Sequence, residues 1–174
     1  MKPHRHRHDP GKTLVGFSVG DVYYAIAIGK VREVSSPLPT VSLPHAPPAV
    51  QGVSDYRGEV VPVVDLRVRF GLPKIADTRR IKWVIVDLGG RFAALVVDEM
   101  LGVFGTVGLE LRPAPPLGGG EDVRGIIGVT MHTRGMVFVL DLSCFAELTD
   151  ALALPAEAVG ALPAGATDGK ARAS

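Results

Sequence analysis

Apolar residues along this chain come in short runs separated by turn-forming residues. The segment LVGFSVGDVYYAIAI has the pattern of two strands joined by a tight turn at Gly20-Asp21. The same arrangement recurs around Gly89-Gly90 and around Thr133-Arg134-Gly135, and a further strand follows the turn at Arg57-Gly58. Val, Ile, Phe and Tyr dominate the runs, as is typical of half-buried pleated surfaces. The pattern therefore predicts a series of β-hairpins.

Helical signal is scarce in the same region. Residues 28–34 and 66–70 each have the spacing of a single helical turn, and a third helix is predicted to begin at Ser143, whose hydroxyl is suited to cap it. Pro62 lies inside an apolar run, where it removes a backbone donor. Its strand is therefore expected at a sheet edge or with a bulge at that point. The fold class predicted from these patterns is all-β with short helical turns.

Three strand endings repeat one another. The segments VVPVVDL, AALVVDEM and MVFVLDL each bring a run of bulky residues to an Asp. This repetition indicates a duplicated architecture of two small barrels. Spacing alone leaves a single sandwich open as an alternative.

Composition divides the 174 residues into three parts. Residues 1–12 are polar, basic and rich in His, so we predict a disordered tail there. Residues 13–150 carry the strand pattern and are predicted to form the folded domain. Residues 151–174 are rich in Ala, Gly and Pro, which predicts a flexible tail that the fold does not need.

Charge and hydropathy exclude several classes of protein. The net charge of +1 splits into +3 over residues 1–12 and −2 over residues 13–150. A slightly acidic body is a poor binder of nucleic acid, because phosphate neutralisation needs clustered Lys and Arg. No apolar run approaches the roughly 18 residues of a membrane span, and none follows the basic N-terminus as in a secretory signal. We therefore expect a cytoplasmic protein, in agreement with the single Cys144.

Patterns that mark enzymes and metal proteins are also missing. The chain has no G-x-S-x-G elbow, and its glycine-containing loops lack the Lys-Ser/Thr ending of a phosphate loop. His4, His6 and His8 alternate along the chain, and their imidazole groups could bind zinc or nickel. No cluster of Cys or carboxylate residues completes a metal site, so a solvated tail is the favoured interpretation. We expect no catalytic activity, no cofactor and no resident metal.

Arg57 lies at a sharp turn between Tyr56 and Gly58. One interpretation is a surface arginine paired with Glu59 or Asp55, worth about 0–1 kcal/mol. The other is a bidentate contact to a carboxylate or carbonyl of a partner, as is frequent at binding hot spots. Tyr56 is another residue type common at hot spots and therefore favours the interpretation of this turn as an interface. Asp55 is a further candidate interface residue.

Three stretches together resemble the CheW-like domain family, the coupling proteins of bacterial chemosensory arrays. They are FSVGDVYYAIAIGKVREV, LPHAPPAVQGVSDYRGEVVPVVDL and FAALVVDEMLGV, and a closing hydrophobic hairpin with LDL follows them. The resemblance covers about residues 14–149. It implies two SH3-like five-stranded β-barrel lobes packed around a shared hydrophobic core, and a non-catalytic adaptor.

The resemblance also implies two protein partners. One is the regulatory domain of a CheA-type histidine kinase, and the other is the cytoplasmic tip of a methyl-accepting chemoreceptor, received in a groove between the lobes. The adaptor is then recruited to membrane-associated receptor arrays. Carried over position by position, the resemblance assigns the receptor-binding groove to Val31, Glu33, Val34, Arg57, Val97, Asp98 and Met100.

One departure from the family pattern keeps an alternative open. Asp55-Tyr56 replaces the more usual Asn-Leu before Arg-Gly. A divergent homologue that binds only the kinase or only the receptor, and competes with a conventional coupler, is therefore the alternative function. Two other classes also stay open. One is an SH3-like module that uses its basic tail on RNA or membrane lipid, and the other is an enzyme or metal protein built on the histidine tract.

Overall fold

The fold was analysed in a computed structural model, which describes residues 12–74, 79–106, 111–114 and 125–150. The predicted tails therefore lie outside the described residues, except for Lys12. The strands are β1 (Thr13–Val19), β2 (Val22–Ala27), β3 (Val31–Ser35), β4 (Val50–Tyr56), β5 (Glu59–Asp65), β6 (Lys82–Asp87), β7 (Phe92–Val97), β8 (Glu99–Gly105), β9 (Ile126–His132) and β10 (Gly135–Leu140). The helices are α1 (Leu66–Arg69) and α2 (Ser143–Asp150).

The strands form two five-stranded sheets, which we call lobe A and lobe B. Lobe A has the order β8-β1-β2-β10-β9, and lobe B has the order β3-β6-β7-β5-β4. Neighbours are antiparallel except for β2 with β10 and β5 with β7, which are parallel. The three predicted hairpins are present, the strand predicted after Arg57-Gly58 pairs with β4 as a fourth, and Gly20 adopts the positive φ of 61° that its tight turn requires. The all-β prediction is confirmed.

The two lobes share one topology, which confirms the predicted duplication. In each lobe two hairpins are joined by a parallel pair of inner strands, β2 with β10 in lobe A and β7 with β5 in lobe B, and a single strand (β8 or β3) lies at the far edge. The hairpins β9–β10 and β4–β5 each lead through Asp-Leu into a helix. Asp65 accepts hydrogen bonds from the backbone N–H groups of Arg67 and Val68, and Asp141 accepts one from Ser143. The repeated Asp-Leu ending is therefore a helix-capping signal.

Lobe B shows why its sequence runs are apolar without interruption. In β6, Trp83 and Ile85 pack inside the lobe. Val84 and Val86 point the other way and join a second cluster that includes Phe17 of lobe A and Phe145 of α2. A strand buried on both faces has no position for a polar residue. The second cluster is the predicted core shared by the two lobes.

Three local predictions need correction. Only Ile28–Lys30 forms a helical turn, of the 3-10 type, while the rest of the predicted helix is β3, because pairing with β6 overrides the local helical spacing. Pro62 lies in an internal strand and not at an edge, but β5 pairs with β7 only from Val63 onward, so its missing N–H costs no bond to β7. The Ser143 hydroxyl does not cap α2, since it donates to Asp141 at 2.6 Å.

Candidate functional site

Arg57 is held in a strained backbone conformation. It forms a two-residue turn with Gly58 between β4 and β5, with φ of 54° at Arg57 and 85° at Gly58. Hairpin turns of this kind favour Asn or Gly at the first position, whereas the left-handed region costs another residue type about 1–2 kcal/mol. Asp55 stabilises the turn by accepting a hydrogen bond from the Gly58 N–H at 2.7 Å. The turn therefore holds a residue other than Asn or Gly in a conformation that costs free energy.

The Arg57 side chain contacts Glu33 across the opening of lobe B. The Glu33 Oε2 atom accepts hydrogen bonds from Arg57 Nη2 at 2.6 Å and from the Tyr56 hydroxyl at 2.7 Å. Glu33 is in β3 and Tyr56 in β4, at opposite edges of the sheet, so the sheet curls until its edges meet. We call Glu33, Tyr56 and Arg57 the lobe B clasp. It closes the barrel and leaves the Arg57 side chain 73% exposed.

An aromatic pair supports the clasp from beneath. The Arg57 guanidinium carbon lies 5.5 Å from the centre of the Tyr56 ring, and Tyr56 packs edge-on against Phe92 with ring centres 6.2 Å apart. Arg32 lies over the other aromatic ring, 5.9 Å from its centre. Two arginines therefore flank a buried tyrosine and its phenylalanine neighbour. The result is a guanidinium presented to solvent on a rigid base.

Hydrogen bonding and burial in the clasp shift two pKa values in opposite directions. The Tyr56 hydroxyl bond, followed by the Arg57 charge, lowers the pKa of Glu33 below its ordinary value, against the opposing effect of burial. Burial raises the pKa of Tyr56, and its bond to the Glu33 carboxylate raises it further. The clasp at neutral pH is therefore an ionised carboxylate bound to a neutral phenol and a guanidinium.

We predict a measurable pH dependence of the clasp. Since the folded-state pKa of Glu33 lies below its unfolded value, the stabilisation is present above the unfolded pKa and is lost as the pH falls through the folded pKa. A carbon-13 NMR titration of the Glu33 carboxyl should show this low pKa in the wild type. Tyr56→Phe should raise it toward the ordinary value. Identical titrations in the two proteins would contradict the assigned cause.

A second Glu–Arg pair joins the opposite edges of lobe A. Arg134 in the β9–β10 turn contacts Glu99 of β8 at 3.5 Å, and the rings of Phe104 and His132 meet between the same edges at 4.7 Å. We call Glu99 and Arg134 the lobe A clasp. Sequence reasoning missed both residues. The sequence feature that could have pointed to them is the Arg-Gly pair, which occurs both at Arg57-Gly58 and at Arg134-Gly135.

The predicted groove residues divide between two faces of β3. Val31 and Val34 lie opposite Val86 and Val84, on the face of the shared core, whereas Glu33 lies opposite Ile85, which points into lobe B. Val34 is 41% exposed, and Val31 is half-buried against the core. The apolar and charged groove residues therefore do not form one continuous surface on β3.

The remaining groove residues lie where β7 passes into β8. Val97 is fully buried in the shared core, and Met100 is half-buried against it. The Asp98 Oδ2 atom accepts hydrogen bonds from Arg67 Nη1 at 2.5 Å and from the Gly20 N–H at 2.6 Å. Arg67 belongs to α1, which follows β5 of lobe B, and Gly20 belongs to the β1–β2 turn of lobe A. We call Asp98, Arg67 and Gly20 the inter-lobe latch. Partner contact by Val97, Asp98 and Met100 stays a prediction.

Two kinds of feature are absent from the described ranges. Within residues 12–74, 79–106, 111–114 and 125–150, no three His, Cys, Asp or Glu side chains are grouped as metal ligands would be. In those same ranges no helix has the length and hydropathy needed to cross a membrane. The histidine tract at 4–8 lies outside the described residues.

Known proteins resemble this chain along most of its folded part. The profile of the CheW-like domain family matches residues 13–148. The chain belongs to the CheW-like domain family. The Chemotaxis protein CheW of Rhizobium meliloti (strain 1021) is 29% identical over 128 residues, which cover 72% of this chain and 83% of that protein. Protein FrzA of Myxococcus xanthus is 31% identical over 142 residues, which cover 80% and 86%.

A solved structure supports the same assignment. The crystal structure of the scaffolding protein TtCheW from Thermoanaerobacter tengcongensis superposes with a TM-score of 0.67 at 28% identity, covering 76% of this chain and 90% of that one. The agreement confirms the two-lobed, five-stranded fold expected of a CheW-like domain. The family consists of non-catalytic scaffold proteins, which confirms that the chain is not an enzyme.

Proposed function

We propose that this chain is a non-catalytic adaptor of a bacterial chemosensory array. Membership in the CheW-like family supports a coupling scaffold with protein partners. We assign it two: the regulatory domain of a CheA-type histidine kinase and the cytoplasmic tip of a methyl-accepting chemoreceptor. In this role it works in the cytoplasm, at membrane-associated receptor arrays. Residues 13–150 are the unit that carries the function.

The conformation of Arg57 is the observation that favours this hairpin as the receptor contact. Its bond to Glu33 uses Nη2, and a guanidinium has five N–H donors. With the side chain 73% exposed, the other donors face solvent. Since the turn and the aromatic base already hold the group in place, a partner carboxylate or carbonyl gains its hydrogen bonds with little loss of side-chain entropy. Because Arg57 is strained and exposed, we expect its side chain to contribute little to the stability of the fold and more to the binding of a partner.

A receptor helix also needs an apolar surface beside this donor. Helices dock into grooves through an apolar stripe with polar residues at its rims. Val34 is exposed on the core-facing side of β3, while Val97 belongs to the shared core and Val31 and Met100 pack against that core. We therefore propose that Val34 contacts the receptor helix directly, while the latch residue Asp98 keeps the two lobes in position.

Arg57→Asn is predicted to separate binding from folding. Asn tolerates the left-handed turn, so the melting temperature should stay the same or rise slightly. Loss of the guanidinium should weaken binding of a receptor-tip fragment by about tenfold or more, as at other arginine hot spots. Calorimetry with the purified fragment and with the kinase regulatory domain measures both affinities, and kinase binding should not change.

Arg134→Asn is the matched control for this experiment. It makes the same substitution in the corresponding turn of lobe A, where Arg134 contacts Glu99. Receptor affinity should stay within about twofold of the wild type, a difference of roughly 0.4 kcal/mol. Equal receptor affinities of wild type and Arg57→Asn would contradict the proposed role of Arg57.

One observation favours the alternative of a divergent member that binds a single partner. Asp55 and Tyr56, which depart from the usual family residues, both take part in the hairpin: one holds the turn and the other donates to Glu33. A leucine at position 56 has no hydroxyl for that bond. Kinase binding without receptor binding in the wild type would support this alternative.

A further inference from the structure

The Glu33 carboxylate of the lobe B clasp receives two donors on one oxygen. The Tyr56 hydroxyl and Arg57 Nη2 both donate to Oε2, at 2.7 and 2.6 Å. Among the described residues, no hydrogen bond joins the second oxygen, Oε1, to the guanidinium. Arg57 therefore pairs with Glu33 through one contact, and not through the two parallel contacts that arginine and carboxylate groups frequently form.

The Tyr56 hydroxyl keeps a fixed position because its ring is packed. The residue is 6% exposed and belongs to the apolar cluster inside lobe B. Phe92 meets the ring edge-on, and pairing with Glu59 of β5 fixes the backbone. A side chain held in this way does not follow a movement of the carboxylate. The bond between them lasts only while Glu33 keeps its present orientation.

This bond restricts how Glu33 pairs with Arg57. To offer both oxygens to the guanidinium, the carboxylate would have to turn, and Oε2 would then leave the phenol. A buried donor without an acceptor is unfavourable, so the hydroxyl opposes the turn. The pair stays at one contact, and the other N–H groups of Arg57 remain available to a partner.

The shape of a guanidinium indicates which partner group suits it. Its N–H donors lie in one plane, and two of them together match the two oxygens of a carboxylate. A backbone carbonyl offers one oxygen and no full charge. The Arg57 side chain is 73% exposed at the tip of a hairpin, so a carboxylate on a docked helix has access to it.

We infer that Tyr56 is a positioning residue: by holding Oε2 of Glu33, it keeps two donors of Arg57 available for a carboxylate of the receptor helix. The inference rests on the proposed function, because it takes Arg57 as a receptor contact. It adds the chemical class of the receptor group and a buried residue that favours this group. In Tyr56→Phe, Glu33 is expected to turn and to take both donors itself.

The test removes the hydroxyl in two backgrounds of the full chain. Tyr56→Phe keeps the ring and its contact with Phe92. Calorimetry with the receptor-tip fragment should show an affinity about fivefold lower, as for the loss of one hydrogen bond. In a Glu33→Gln background the same change should have no effect, because an uncharged amide does not form the two-contact pair. Equal losses in both backgrounds would overturn the inference.

Tyr23→Phe is the matched control. It removes a phenol from the partly buried Tyr23 of β2, which packs against the apolar cluster inside lobe A. The affinity for the receptor-tip fragment should stay within about twofold of the wild type. A loss equal to that of Tyr56→Phe would show that the effect is not specific to the clasp, and would overturn the assigned role.

Rotation of the Arg57 guanidinium gives a readout that needs no partner. Two parallel contacts restrict rotation about the Nε–Cζ bond more than one contact does. Nitrogen-15 NMR should therefore show slower rotation in Tyr56→Phe than in the wild type. The pKa of Glu33 should still rise in this variant, because the Tyr56 bond lowers it more than the Arg57 bond does. Rotation that is unchanged or faster would overturn the inference.

Substitutions in the receptor-tip fragment test the class of the receptor group. Its acidic residues are changed one at a time to the matching amide. One such change should weaken binding to the wild type about tenfold and leave binding to Arg57→Asn unaltered. If no change does so, the carboxylate is wrong. A weakened Arg57→Asn with an unaltered Tyr56→Phe would overturn only the role of Tyr56, whereas a wild type that does not bind the fragment would overturn the proposed function as well.

Discussion

Asp98→Ala is expected to lower the free energy of unfolding by about 3–5 kcal/mol, the usual loss when one member of a buried ion pair is removed. The side chains of Asp98 and Arg67 are only 14% and 16% exposed. Removing the carboxylate leaves the guanidinium uncompensated in a largely buried site, and it also removes the acceptor of the Gly20 N–H. Since the latch joins both lobes, the loss should appear in one cooperative transition. Urea unfolding followed by tryptophan fluorescence measures it.

The next residue supplies the control. Glu99→Ala removes the lobe A ion pair with Arg134, whose two side chains are 46% and 51% exposed. A solvent-exposed pair of this kind contributes about 1 kcal/mol or less. Equal losses for Asp98→Ala and Glu99→Ala would contradict the latch, because the two neighbouring carboxylates would then have the same energetic role.

Gly52→Ala is expected to destabilise the chain by about 3 kcal/mol or more, since steric overlap and left-handed backbone strain add together. Gly52 has a φ of 148°, and a Cβ there would lie 2.1 Å from the carbonyl oxygen of Val41. That carbonyl belongs to a backbone pair in which Val41 and Val53 exchange hydrogen bonds of 2.8 Å. Because the clashing atoms are backbone, the substitution must separate the two segments and open lobe B.

Thermal unfolding of Gly52→Ala and Gly29→Ala provides the comparison. No atom lies within 4 Å of a Cβ built at Gly29, and its φ is not in the left-handed region. Its substitution should change the free energy of unfolding by no more than about 0.5 kcal/mol. Hydrogen exchange should also accelerate at the Val53 amide in Gly52→Ala. A small loss, equal to that at Gly29, would show that lobe B does not need this close approach.

The hairpins were predictable because their signals are local. Glycines at the turns and β-branched runs on either side determine each antiparallel pair within a few residues, as at Gly20 and Gly89-Gly90. The strand β3 was not predictable in this way, since Val31–Ser35 also has helical spacing. Its partner β6 begins at Lys82, far along the chain. The choice between helix and strand for these residues is made by pairing with β6 in the folded sheet.

The sequence predicted which residues belong to the candidate site, but not which of them contact one another. Sequence reasoning singled out Arg57 and Tyr56, yet it offered Glu59 or Asp55 as the ion-pair partner. The structure pairs Arg57 with Glu33, 24 residues away, because the edges of a curled sheet meet. Closure of a barrel brings together strands that no local pattern relates. The same reason explains why Glu99 and Arg134 were missed.

Asp98 shows a different limit of the sequence. Asp98 follows an apolar strand, and the family resemblance assigns it to the receptor-binding groove. In the structure its oxygen contacts Arg67 and Gly20, which come from different lobes. Whether an acidic residue faces a partner or an internal cation depends on the packing of the lobes. The periodicity of the strand does not contain that information.

Co-sedimentation tests the adaptor function most directly. Receptor-tip fragments are attached to vesicles, mixed with a CheA-type kinase, and sedimented with and without this chain. If the chain couples the two proteins, the kinase enters the pellet only when the chain is present, and Arg57→Asn leaves both the kinase and the chain in the supernatant. Equal sedimentation of the kinase without the chain, or a kinase that stays in the supernatant while the chain sediments, would contradict coupling.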